Sequence, residues 1–156
     1  MNRKSFCSFY VSEYHLLTIL LPYINEQISN FKNVELILEN DMIESVKKYL
    51  KKNEIFNTGK IIKLNWKKIR NEDVKIKVNT DIVIVCGKEL FIEKINTEIY
   101  KFKSVSQIVN CFNIESLNNL ENIVKGHDFV LRTNGLCEIK KSSHKEQKRK
   151  TIQTQI

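Results

Sequence analysis

The sequence predicts an α/β fold of three layers, in which a mainly parallel sheet is covered by helices on both faces. Three observations lead there. Short apolar, β-branched runs alternate almost from end to end with helical periodicities of ten or more residues, the pattern of strands joined by crossover helices. The run at 81–86 is apolar from Ile82 to Cys86, as a strand buried on both faces requires. The first forty residues lay out strand, helix and strand in the manner of a mononucleotide-binding unit, but without its glycines. A phosphate cradle needs a Gly-rich loop whose N–H groups close around the anion, with Lys and Ser or Thr at the helix start. Tyr10 to His15 supplies none of these.

The first strand is expected around 6–10. Tyr14, Leu17, Leu20, Leu21, Ile24 and Ile28 then mark one helical face, with Ser12 as the N-cap and Pro22 interrupting the helix interior, a kink and a conceivable hinge. A strand follows at 34–39, and Asn40 or Asp41 is expected to cap a helix whose stripe is Ile43, Val46, Tyr49 and Leu50. Gly59 closes the connection into a strand expected at 60–64. From 66 to 78 two patterns compete, because Val74, Ile76 and Val78 alternate like a strand after charges that suit a loop or short helix. Beyond the strand at 81–86, a helix is expected at 89–102, a strand at 107–112, a helix at 115–125 and a strand at 129–131. Asn134 and Gly135 signal a turn that returns 136–139 as an antiparallel edge hairpin.

At 156 residues the chain has the length of one domain, expected over 1–139, followed by a basic tail at 140–156 with no apolar periodicity and the composition of a disordered segment. No apolar run approaches the roughly 20 residues that span a bilayer, so a cytoplasmic protein without membrane partners is expected. The net charge of +8 divides unevenly, +5 in the tail and +3 in the body. Lys, Asn and Ile make up 60 of the 156 residues, a bias that scatters lysine over solvated faces. A nucleic-acid footprint should instead cluster on one face.

Four cysteines, Cys7, Cys86, Cys111 and Cys137, are widely separated in apolar or strand-like contexts, so free buried thiols are expected rather than disulfides or a zinc site. In an open parallel sheet the ligand crevice lies beyond the carboxyl ends of the strands. Cys86 and Cys111 fall at such ends, while Tyr10, Ser12 and Glu13 follow the first strand. With Cys7 and His127 nearby, these seven residues are the candidate ligand-binding set. Core filling accounts for the thiols equally, and turn capping for His127, whose ring Asp128 is placed to orient. Neither a G-x-S-x-G elbow nor H-E-x-x-H occurs, and no catalytic residue, metal or cofactor is assigned.

Cys7, Tyr10, Ser12 and Glu13, followed by Leu16, Leu17, Leu21, Pro22, Tyr23, Asn25 and Glu26, resemble the opening of MEDS domains. The likeness recurs at Val109, Cys111, Phe112 and Asn113, then Leu117 and Leu120, then Lys125, Gly126, His127, Asp128 and Phe129, similar to that family's paired strand, helix and histidine-containing turn. It covers about residues 4–139. The resemblance implies a RecA-like sensory domain that lacks the phosphate loop, from a bacterial or archaeal setting, coupled to histidine kinases or transcriptional regulators. Where that family carries a histidine, this chain has Ser5. The implied function is non-catalytic sensing of a small-molecule ligand or regulatory protein, with the signal passed to a separate partner since no output domain follows residue 139. The alternative is an interaction protein whose basic tail binds nucleic acid or an acidic partner.

Overall fold

A computed structural model describes residues 3–70 and 74–139, so the tail expected at 140–156 lies outside the described residues. Strand β1 (Lys4–Tyr10) leads into α1 (Glu13–Ser29), and β2 (Val34–Leu38) into α2 (Ile43–Lys52) and a short α3 (Thr58–Ile62). Then come β3 (Ile82–Gly87), α4 (Glu89–Ile99), β4 (Gln107–Asn113), a single 3-10 turn (Ile114–Ser116), α5 (Leu120–Lys125), β5 (Phe129–Arg132) and β6 (Gly135–Glu138). The six strands form one sheet in the order β2-β3-β4-β1-β5-β6. Neighbours pair in parallel from β2 to β5, and β6 closes the edge antiparallel to β5.

Side-chain alternation along each strand splits the core in two. One cluster joins Phe6, Tyr10, Ile84, Val109 and Cys111 to Leu16, Leu17, Leu20, Leu21 and Ile24 of α1, with α2 and α3 beside them. The other joins Cys7, Val83, Val85, Ile108 and Phe112 to Ile92, Ile95 and Ile99 of α4 and to Val124 of α5. The result is the three-layer α/β fold with its antiparallel C-terminal edge. α1 crosses Pro22 without ending, and Pro22 lies on its exposed side. Among the described residues no helix is long and apolar enough to cross a membrane.

Three sequence expectations are corrected. Residues 58–62 are helical, not a strand over 60–64: Ile61 is buried and holds the Trp66 indole through its carbonyl, at 2.8 Å, while Lys60 and Lys63 point outward. Two adjacent isoleucines imitate a strand, but only Ile61 of the pair is buried, and its neighbour Ile62 is half-buried. The helix expected at 115–125 is cut to α5, because Asn119 accepts from the Asn122 N–H at 3.1 Å and starts the helix anew. At the start of α2 the N-cap is Met42, without a side-chain bond, and Asp41 instead accepts from the Lys68 backbone N–H. The alternation at 74–78 yields two buried residues, Val74 and Ile76, without a regular strand.

Candidate functional site

Topology places the crevice. From β1 the chain leaves over the α1 face to reach β2, whereas from β4 it leaves over the opposite face through α5 to reach β5. β1 and β4 are adjacent, so their carboxyl ends, Tyr10 beside Asn113, form the switch point at which such sheets open a crevice.

Only Val11 and Ser12 separate β1 from α1, too few to wrap a phosphate, and two of the donors there are already engaged. The Val11 N–H donates to His15 Nδ1 at 3.1 Å, and the His15 N–H donates to Ser12 Oγ at 3.1 Å. Glu13 adds a carboxylate to the first turn and accepts from Ser45 Oγ at 3.1 Å. Helix N-termini attract anions through free N–H groups. Here a hydroxyl, an imidazole and a carboxylate take that place.

Tyr10, Cys86 and Cys111 do come together, on the α1 face. Cys86 and Cys111 are register partners on β3 and β4, and Ser8 of β1 follows in the same row. These three small side chains leave room for the leucines of α1. Burial pushes the Cys111 thiol well above its usual range, and Cys86 hydrogen-bonded beside it pushes it further. Burial likewise raises the Tyr10 phenol, with Cys86, Cys111, Glu39 and Glu13 adding to the effect. The two thiols are buried core groups, unlike the partly exposed, electropositive settings of reactive cysteines. Tyr10 differs from them: it is only 8 % exposed, and among the described residues its hydroxyl has no hydrogen-bond partner.

Glu39, just past β2, belongs to this site and was not singled out by the sequence. Its carboxylate accepts from the Lys88 N–H at 2.8 Å and lies across Gly87, where a Cβ would stand 2.7 Å from Glu39 Oε1 and 2.8 Å from the Phe91 ring. A glycine directly after a buried strand was the available signal. Val11, Tyr14, Leu90 and Ile114, in the segments that follow the carboxyl ends of β1, β3 and β4, are exposed.

Cys7 and His127 fall elsewhere. Cys7 points into the α4–α5 core, where burial pushes its thiol up to about 12. His127 precedes β5 and is buried beneath α5, its ring edge-on to Phe112 at 5.9 Å on the face of the sheet opposite Tyr10, Cys86 and Cys111. Its bonding follows from one main-chain carbonyl. Asn96 Nδ2 donates to Ile92 O at 2.9 Å, which fixes that amide, and Asn96 and Asn110 then exchange reciprocal bonds of 2.8 and 3.0 Å. The remaining Asn110 N–H meets His127 Nε2 at 3.0 Å, so Nε2 accepts and Nδ1–H donates to Ile123 O at 2.6 Å. The Asp128 carboxylate accepts from the Ser5 N–H and hydroxyl at 2.9 and 3.2 Å, tying the amino ends of β1 and β5.

Comparison with protein-family models, curated proteins and solved structures found no match.

Proposed function

We propose that the chain is a non-catalytic, MEDS-like recognition module that binds a small ligand outside the carboxyl ends of β1, β3 and β4 and signals to a separate regulatory protein. The observation that carries this reading is Tyr10, 8 % exposed at the switch point, whose hydroxyl has no hydrogen-bond partner among the described residues. Buried polar groups are nearly always bonded, so a ligand acceptor is the natural counterpart. Glu13 and Glu39 nearby favour a ligand that also carries a cationic or donor group, such as a small amine or amino alcohol. The engaged donors at Val11 and His15 argue against a nucleotide phosphate in the same place. Signalling requires only that the ligand bind two conformations with different affinity.

The test is a thermal-shift screen of the full chain against amines, amino alcohols, alcohols, organic acids and nucleotides. A ligand at a hundred times its Kd should stabilise by about 2.7 kcal/mol and raise Tm by about 5 °C or more. The shift should disappear in Tyr10→Phe. A flat screen, a shift that survives in Tyr10→Phe, or ATP hydrolysis abolished by Glu13→Gln would overturn the reading.

A further inference from the structure

Among the described residues the outer edge of β2 gathers a dense set of cations. A groove of about 930 Å³ runs along it, and its lining includes Lys63, Lys67, Lys68, Arg70, Lys75 and Lys77, all exposed. A second cleft of about 430 Å³ continues it past Val34, Glu35, Leu64 and Lys77, which line both, and adds Lys32 and Lys60. Among the described residues the single carboxylate in either lining is Glu35, and it accepts from the Lys77 N–H at 3.1 Å. The described residues lining the two clefts therefore sum to +7, against +3 for residues 1–139 as a whole. Lysine scattered by composition does not segregate in this way. Among the described residues none of the eight cations is ion-paired.

Phe31 stands in the smaller cleft, 90 % exposed. It occupies the left-handed position that closes α1, with φ of 60°. The Phe31 N–H bonds Ile28 O and the Lys32 N–H bonds Gln27 O, each at 3.0 Å, the pair of bonds that ends a helix on a left-handed residue. Glycine suits that position and a bulky aromatic does not. No burial compensates for the choice. Strain retained at an exposed aromatic beside lysines points to use of the ring.

We propose that this edge binds single-stranded nucleic acid, its phosphates along the cations and a base stacked on Phe31. A row of cations with an exposed aromatic is how such strands are held without sequence readout. An acidic peptide would use the charge but not the ring.

The full chain is titrated into a fluorescein-labelled 12-nucleotide oligouridylate, with anisotropy read between 50 and 200 mM salt. In Lys67→Gln/Lys68→Gln/Arg70→Gln the affinity at 50 mM should fall about tenfold or more. The slope of log affinity against log salt should become shallower by about 2, roughly 0.7 for each cation removed. Phe31→Gly should bind about fivefold or more weakly with the slope unchanged. Absence of binding by the wild type would overturn the proposal. So would an equal loss in Lys48→Gln/Lys51→Gln/Lys52→Gln on the exposed side of α2, or a loss confined to neutralising the cations of 140–156. A 12-residue polyglutamate that binds as tightly as the oligonucleotide, with no dependence on Phe31, would assign the edge to acidic peptides instead.

Discussion

Phe31 and Tyr10 each break a local rule, and neither breach is visible without the fold. A phenylalanine after a helix reads as ordinary apolar punctuation; only its positive φ and its exposure show that packing does not require it. Phe31→Gly should therefore stabilise the protein, by up to about 1 kcal/mol, because glycine takes the left-handed conformation without the Cβ clash. Urea denaturation checks this, and a loss of stability would mean that the ring makes a contact worth more than its strain. Tyr10 was legible as a residue at a strand end, but its lack of a partner depends on what α1 and β2 bring beside it. Cys86 and Cys111 were legible as strand-end thiols, and the row they share with Ser8 explains them as small side chains under α1.

At the scale of elements, the strands that are apolar throughout were recoverable to within a residue or two, because burial on both faces leaves little freedom in composition. The segments that misled, 60–64 and 115–125, are short and lie where a single carbonyl or amide decides the local structure. The same holds for the Asn96, Asn110 and His127 chain that joins α4, β4 and the end of α5. No spacing in the sequence announces it, since its members are 14 and 17 residues apart. Asn96→Ala would leave the buried Asn110 amide short of two bonds and should cost about 1–3 kcal/mol. In a double-mutant cycle with Asn110→Ala a coupling of about 1–2 kcal/mol is expected, and no coupling would show that the amides act independently.

For the whole molecule, the raised thiols and phenols set the response to alkali. Cys7 is pushed up to about 12, and Cys111, Tyr10 and Tyr23 are also raised, chiefly by burial. The folded state thus keeps protons that the unfolded chain releases from about pH 8.5 for thiols and about pH 10 for phenols. Their contribution is complete below those values and is lost as pH rises toward the folded pKa. Each group that has titrated only in the unfolded chain lowers stability by about 1.4 kcal/mol per pH unit. Urea midpoints at pH 7.5, 9 and 10.5 should fall progressively, and an unchanged midpoint at pH 10.5 would show these groups to be solvated. The fold class was readable from alternation alone. The separation of charge was not, because it arises from residues 32 to 77 meeting along one sheet edge.

The position of β1 has a consequence for the order in which this chain acquires structure. It precedes the other described strands along the chain, yet its register partners begin with Lys4 against Gln107 and Phe6 against Phe129. During synthesis β1 therefore waits, with both edges open, until more than a hundred further residues have emerged. Its closing contacts carry the loop entropy of that separation, which favours slow folding.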